Sequence, residues 1–407
     1  MKILGIETSC DETAAAVVED GQKLLSNAVL SSMDLHVAYG GVVPEIAARS
    51  HIESIQPVIN KALHDAFVAN TEQGAGSKGH RTQITEHRLQ NTDYRQRTTE
   101  DRKQITENRQ RTTESNPWDE IDAIAVTHGA GLGGSLLVGV MAARTYAITK
   151  NKPLYAINHV EAHIYANFLT GIAESSKLKA DSYRLRAKSP AFPMLGLIVS
   201  GGHSQIVIWR DHFDYTLLGQ TTDDAIGEAF DKVAKLLGLP YPGGPSIGQK
   251  AKDGDPYAYD LPKAKLQDKY NYSFSGLKTA VLRLAQKEIG MDHHFPSHKI
   301  AERLSEAQKA DIAASFQRTA IETVVDKVAA AYEEFQPESV VIGGGVAANP
   351  ELRRQLAERL PIPIEYTDPQ LMTDNGAMIA TLGCFKMMHN QPQADPYTLD
   401  IKPNLSM

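Results

Sequence analysis

Cysteine is nearly missing from this sequence: Cys10 and Cys384 are the two it holds in 407 residues, and they lie at opposite ends. No disulfide framework can be built from such a pair, and the usage suits a reducing cytoplasm. Long apolar runs are missing too, since no stretch approaches the roughly 20 residues that a bilayer-spanning helix needs. Met1-Lys2-Ile3-Leu4-Gly5 does not open a secretory leader, because Glu7 and Asp11 interrupt the apolar core such a leader requires. The expectation is a cytoplasmic protein with no membrane role. An excess of positive charge is also lacking: 42 Lys and Arg face 49 Asp and Glu, for a net charge of −7. That argues against a broadly basic nucleic-acid binder, while leaving room for a local basic patch or a partner that supplies one. The rest is an ordinary globular composition, 42% hydrophobic and 22% charged, long enough for two domains with separate cores.

What is there centres on Asn158-His159-Val160-Glu161-Ala162-His163. The stretch follows the strand-like run Pro153–Ile157 and opens the apolar-periodic stretch Ile164–Leu169. Residues four apart share a helix face, so His159 and His163 point the same way. Two imidazoles at that spacing make half of a transition-metal site, and at least one further ligand must come from elsewhere. A lone pair of this kind is more often two histidines at a helix start. The glycine-rich segments on both sides favour the metal reading here.

Read in order, the chain begins with an apolar β-compatible run, Lys2–Thr8, a polar turn from Ser9 to Thr13, a strand Ala14–Glu19, and a hairpin at Asp20-Gly21 into Lys23–Ser31. A long helical pattern follows Pro44 and runs to about Ala66, with Pro57 as a kink. From Thr82 the sequence repeats every seven residues: TQITEHR, LQNTDYR, QRTTEDR, KQITENR, QRTTESN. A coiled coil needs apolar residues at two positions of each heptad, and these copies offer Thr, acid and Arg instead. Such a segment buries too little surface to form a core and reads as a solvated insertion at about 70–116. Beyond it come strand Ile121–Thr127, the glycine-rich turn His128–Ser135 and helix Leu136–Thr149, followed by the histidine motif and a polar linker over 171–192.

The second half restarts the same order. Met194–Val199, Ser204–Trp209 and Tyr215–Gln220 read as strands around the turn Ser200-Gly201-Gly202-His203. Helix Asp224–Gly238, helical inserts over about 240–310, helix Ile312–Phe335, strand Ser339–Ile342, Gly343-Gly344-Gly345, helix Pro350–Leu360, strand Pro363–Tyr366 and helix Asp374–Met388 complete it. Each half is thus three strands, then helix, strand, helix, strand, helix. The fold class is α/β, with two duplicated actin-like/Hsp70-like (ASKHA) domains, residues 1–170 and 193–407, facing a central nucleotide cleft.

Together these motifs resemble a known family. Gly5–Thr13, Gly41–Glu45, the His159–His163 motif, Val199–His203, Gly227–Lys232, Phe274–Ala280, Gly343–Asn349 and Thr373–Ala377 are similar, in order, to the TsaD/Gcp family of tRNA N6-adenosine threonylcarbamoyltransferases. The resemblance covers the chain except the repeats, the linker and the extreme C-terminus. It implies Asp374 as the third metal ligand beside His159 and His163, holding one divalent ion per subunit, Fe2+ ahead of Zn2+. It implies substrate contacts from Ile198, Val199, Ser200, Gly201, Gly202, Asp231, Gly244 and Asn349, and it places Asp11 and Glu12 as the acidic pair for proton transfer. The implied substrates are tRNA and threonylcarbamoyl-AMP, and the implied partners are a non-catalytic paralogue (TsaB-like) and a small ATPase (TsaE-like). Two positions depart from the pattern: Asn158 replaces a further histidine of some relatives, and Gly248 replaces an aspartate.

Plainer readings stand beside these. Asp231 and Lys232 fit the solvated face of a helix, and Asp374 and Asn349 both fit helix N-caps. A metallopeptidase would use the same histidines, but its glutamate directly follows the first one, as H-E-x-x-H, whereas Glu161 stands two residues on. An ATP-hydrolysing scaffold of the Hsp70 type would not need the histidine pair.

Overall fold

The computed structural model describes residues 1–67, 116–173, 176, 178, 183–364 and 366–407. The heptad repeats fall outside the described residues, apart from Asn116.

The first sheet begins with β1 (Lys2–Glu7), β2 (Glu12–Glu19) and β3 (Lys23–Ser31), paired antiparallel in sequence order. Short helix α1 (Met33–His36) leads to the long α2 (Pro44–Phe67), which carries Pro57 inside it. Strand β4 (Ala123–Gly129) joins β1 in parallel, helix α3 (Gly133–Lys150) follows, and β5 (Leu154–Asn158) extends the sheet beyond β4. Helix α4 (His159–Tyr165) starts directly at the end of β5. Two residues expected in the linker, Gly171–Ile172, form β6 and pair with Lys23 and Leu24 of β3. An open strand edge carries unpaired N–H and C=O groups, so the chain leaving the first half pairs with it before crossing over.

The second sheet repeats the plan. Strands β7 (Met194–Val199), β8 (Ser204–Asp211) and β9 (Asp214–Gln220) form an antiparallel meander. Helices α5 (Ile226–Leu236), α6 (Gly243–Lys250), α7 (Ser275–Glu288) and α8 (Glu306–Phe335) follow, and β10 (Ser339–Gly343) pairs in parallel with β7. The sheet orders are β5-β4-β1-β2-β3-β6 and β10-β7-β8-β9, so a parallel strand followed by a three-strand meander occurs in both. The strand expected over Pro363–Tyr366 is not formed among the described residues. Pro361 and Pro363 supply no N–H to a ladder, which disfavours a strand there.

Helices α9 (Pro350–Arg359) and α10 (Pro369–Met372) lead to α11 (Gly376–Met388). Although it comes last in the chain, α11 packs on β1, β2 and β4 of the first sheet. The contact is close enough to require glycine on both sides. A Cβ on Gly5 would meet Gly376 O at 2.3 Å, and one on Gly376 would meet the Ala15 carbonyl carbon at 2.5 Å. Apolar residues of α4 and α11 share a core with Ile198 and Trp209 of the second sheet, so these helices lie between the two halves. Separate cores lie outside, one with α2 and α3 on the first sheet and one with α5, α7 and α8 on the second. No helix among the described residues is long and apolar enough to cross a membrane.

Candidate metal centre and substrate cleft

The histidine helix is set by its cap. Asn158 Oδ1 accepts the backbone N–H of Val160 at 2.9 Å and of Glu161 at 3.4 Å, satisfying donors that a helix start leaves free. Asn158 therefore serves the backbone and is not among the clustered ligand atoms. On the next turn, His159 and His163 face each other with ring centroids 4.7 Å apart. Asp374 comes from just before α11: its Oδ1 lies 3.6 Å from His159 Nε2 and 3.4 Å from His163 Nε2. One ligand atom from each of the three falls within 4.8 Å of the others. Asp374 is not the helix cap; Asn375, the next residue, accepts the Met378 N–H and fills that role.

The electrostatics fit a cation. Burial, helped by His159 and His203, holds His163 well below the usual imidazole range, so its ring is neutral and offers a lone pair. Neither of its ring nitrogens has a hydrogen-bond partner among the described residues. A buried polar atom left bare costs about 1–3 kcal/mol, and coordination removes that cost for the ligating nitrogen. Burial pulls His159 down, but Asp374 and Glu7 outweigh it and push the imidazole up to about 9. Asp374 itself is pushed up to about 6 by burial, with His159 opposing and Glu7 and Asp11 adding to the rise. Carboxylates that hold a proton on an imidazole also favour a metal ion beside it.

Glu7 was read in the sequence as an interruption of an apolar run. It is fully buried at the end of β1, and its Oε2 sits 3.2 Å from His159 Nδ1. Ser9 N–H and the Thr127 hydroxyl each donate to its carboxylate at 2.5 Å. A carboxylate behind a ligating histidine fixes ring orientation and tautomer and raises ligand basicity. The signal was present in the sequence: an acid inside an apolar strand. His203, in the glycine turn, lies 6.3 Å from His159 between ring centroids and is held down to about 4 by burial and by His159.

A cavity of about 990 Å³ opens beside this cluster. Of the expected substrate residues, Gly201, Asp231, Gly244 and Asn349 line it, as do Gly248 and Gly345, while Thr373 links its wall to Asp374. Ile198 and Val199 do not line it; their side chains are fully buried in the cores on either face of β7. Ser200 is buried and holds the turn through the His203 N–H, which its hydroxyl accepts at 3.1 Å. Gly202 lies exposed on that turn, outside the lining. Asp231 accepts the Gly243 N–H at 2.6 Å, so it orders the loop beneath the cavity rather than facing solvent. Lys232 pairs with Asp224 and Glu228 and takes no part in the lining. Asn349 does cap α9, and its Nδ2 donates to Gln317 Oε1 at 3.1 Å. Gln317, Arg318, Glu351 and Arg354 also line the cavity and were missed, because on α8 and α9 they read as polar helix faces.

Asp11 and Glu12 stand at the β1–β2 tip. The Asp11 carbonyl accepts from the backbone and hydroxyl of Ser32, next to cavity-lining Met33. Burial and the nearby Asp374 and Asp11 carboxylates push Glu12 up to about 10. The hydroxyl of cavity-lining Tyr241 is pushed up by burial and then by Asp231 and Asp11, while neither Asp11 nor Glu12 is among the residues that line the cavity. Glu161, the residue a peptidase would need, is turned away. It is buried near Lys386 on the far side of α4, outside the ligand cluster.

The sequence profile described as TsaD, tRNA N6-adenosine threonylcarbamoyltransferase, matches residues 23–73 and 112–381 of this chain, and the gap coincides with the heptad repeats. A protein of that name from Thermomicrobium roseum is 44% identical over 387 residues, covering 93% of this chain and 90% of its own. One from Dehalococcoides mccartyi is 40% identical over 408 residues, covering 100% of this chain and 99% of its own. Among solved structures, component A of (R)-2-hydroxyglutaryl-CoA dehydratase from Acidaminococcus fermentans aligns with a TM-score of 0.43 at 14% identity, covering 96% of this chain and 99% of its own, a likeness too distant to carry weight.

Proposed function

Because the chain belongs to the tRNA N6-adenosine threonylcarbamoyltransferase family, we propose that the cleft beside His159, His163 and Asp374 is where it performs that family's transfer. The protein is an acyltransferase that moves the threonylcarbamoyl group from threonylcarbamoyl-AMP to N6 of adenosine 37, in tRNAs reading codons that begin with A. The observation that carries the assignment of the site is that Thr373, which lines the cavity of about 990 Å³, directly precedes Asp374 of the ligand cluster. Ligand pockets commonly run to about 300–1,000 Å³, which suits an acyl-adenylate.

The reaction forms a bond from N6 to the carbamoyl carbon and breaks that carbon's bond to the AMP phosphate oxygen. AMP leaves, and N6 loses a proton. The N6 lone pair is delocalised into the adenine ring, so the electrophile needs activation. A divalent ion held by His159, His163 and Asp374, Fe2+ ahead of Zn2+, supplies Lewis-acid polarisation of the donor when bound. Glu7 keeps His159 oriented for that role. Gly201, Gly244 and Gly345 leave room for the adenylate to approach the backbone, with Asp231 ordering the loop at Gly243 and Asn349 fixing the start of α9. Of the acid pair at the β1–β2 tip, Asp11 takes the N6 proton as the new bond forms, while Glu12, pushed up to about 10, holds its own proton near neutral pH and serves as a hydrogen-bond donor. Ile198, Val199 and Ser200 support the turn rather than touching the donor with their side chains.

The acidic net charge of −7 supports a need for basic surface from elsewhere to hold tRNA. The family resemblance implies a non-catalytic TsaB-like paralogue and a small TsaE-like ATPase as partners, in the cytoplasm, with low turnover by this chain alone, and the proposal includes them. The test is transfer from supplied threonylcarbamoyl-AMP to unmodified tRNA, scored by nucleoside analysis, with and without the partners, for the parent and for Asp11→Asn and Glu12→Gln. At least one acid variant should lose about 100-fold or more in rate. Modification at the parental rate by both would remove the acid pair from the mechanism, and full turnover by the chain alone would remove the partners.

A further inference from the structure

The segment that follows α11 runs back along the first half and ends against the histidine helix. It is anchored at its start, where Arg144 on α3 donates to three of its carbonyls: Pro396 at 2.6 Å, Tyr397 at 2.5 Å and Leu399 at 3.2 Å. Leu399 and Ile401 pack against the core beneath α2 and α3. The chain then meets the glycine turn after β4. Lys402 N–H donates to His128 O at 2.6 Å, and Gly131 N–H donates to Pro403 O at 3.0 Å. A Cβ on Gly129 would meet Lys402 O at 2.0 Å, so the turn accommodates this segment only with glycine there. The turn in turn holds the acid tip, since Leu132 N–H donates to Ser9 O at 2.7 Å, and Ser9 Oγ lies 3.2 Å from His159 Nδ1. Last, Asn158 Nδ2 donates to Ser406 O at 3.1 Å.

Asn158 therefore uses both ends of its amide. The oxygen caps α4, and the nitrogen is tied to a segment nearly 250 residues away in sequence. Its neighbour His159 is buried in contact with Ser9 and Glu7, so a rotation of the helix start moves the His159 ring against both. Outer contacts that orient a ligating histidine typically change metal affinity by about 10–100-fold when removed.

We propose that residues 402–406 are a positioning strap for the metal centre, acting through Asn158: the Ser406 carbonyl fixes the start of α4 and thereby the angle at which His159 meets the metal. The inference rests on the metal reading of His159, His163 and Asp374. It gives Asn158, a departure from relatives with histidine there, a task in place of ligation.

The test titrates Co2+ into the full chain and follows its visible d–d absorption at a temperature where every variant is folded. Asn158→Ser keeps a capping oxygen but is too short to reach Ser406 O. A second variant ends at Pro403 and lacks the acceptor. Each should bind Co2+ about 10-fold more weakly than the parent, and the two changes together should cost no more than one alone, because they break the same bond. Ser406→Ala keeps the backbone carbonyl and should match the parent. Affinity within twofold of the parent in either Asn158→Ser or the shortened chain overturns the proposal. So does a loss in Ser406→Ala as large as in the shortened chain, or full additivity in the combined variant. A parent that binds no Co2+ overturns the metal reading itself, and the strap with it.

Discussion

Asp374 Oδ1 stands 3.4 Å from His163 Nε2, although the helix that follows Asp374 is the last in the chain. The approach of α11 to the first sheet at Gly5 and Gly376 brings that carboxylate to the histidine helix. Asp374→Asn removes the charge that balances a divalent ion while leaving the helix intact, because Asn375 is the cap. Metal affinity should fall by at least about 100-fold, beyond the range typical of outer partners, and transfer to tRNA should nearly stop at an unchanged melting temperature. His163→Ala should behave alike, and the double variant should be no worse than either single one, since the ligands act as a unit. Retained metal and normal transfer in Asp374→Asn would sink the site as drawn.

Glu7→Gln tests the carboxylate behind His159. The change keeps shape and part of the hydrogen bonding, so the buried strand end should still fold. Without the charge, metal affinity should drop about 10–100-fold, with the rate recovering at saturating metal. Metal binding at parental affinity would show that Glu7 only satisfies Ser9 and Thr127.

How much of this was legible in the sequence depends on how local each signal is. The His159/His163 pair announces itself through four-residue spacing, and the strand–glycine–helix order appears in both halves. Asp374 has no local signal of ligation, because its partners lie in a distant segment; the resemblance alone pointed to it. The plainer reading of Asp374 as the helix cap falls one residue short, since the cap is Asn375, and both residue types cap well and stand side by side. The strand expected at Pro363–Tyr366 was a case of apolar pattern against missing donors, and the prolines won. Gly171–Ile172 looked like linker because its pairing partner, the edge of β3, is a tertiary feature. Asp231 gave no sign that it serves the Gly243 N–H, because that bond closes a loop which polarity alone leaves open.

The ion-pair knot at Asp224 makes a prediction in pH. Lys232 on α5 and Lys278 on α7 reach its two carboxylate oxygens at 2.7 and 2.8 Å. Burial opposes ionisation there, but the two ammonium groups outweigh it and hold the carboxyl below its usual range. A depressed folded-state pKa contributes stability that is present above the unfolded value of 3.8 and is lost as pH falls through the folded one. Asp224→Asn should therefore cost about 0.5–1 kcal/mol at pH 7, since both ammonium groups are partly exposed and screened by water, and the gap should narrow as pH drops below 3.8. Urea midpoints of parent and variant at pH 7 and pH 3 measure it, and an equal gap at both would refute the coupling.

The heptad repeats are expected to be dispensable for both fold and transfer. Described structure stops at Phe67, the end of α2, and resumes at Asn116, just before the turn Pro117–Glu120. Those two ends belong to one place in the fold: α2 packs against that turn, and Phe67 and Trp118 border the same core. Trp118 is in turn fixed by stacking on Tyr146 of α3, at 4.7 Å between ring centroids. A short linker can therefore close the gap without pulling on either end, and loop-closure entropy changes slowly with length. The family profile also passes over residues 74–111 while matching both sides. Residues 77–116 should be replaceable by a few Gly/Ser residues with the melting temperature held within about 2–3 °C, since their sequence offers little apolar surface to bury. Transfer to tRNA in the presence of partners should stay within about twofold of the parent, because residues 70–116 carry nine basic and seven acidic residues and so little net attraction for phosphate. A large loss of transfer at an unchanged melting temperature would instead make the repeats an RNA-binding arm, and a large drop in melting temperature would make them structural.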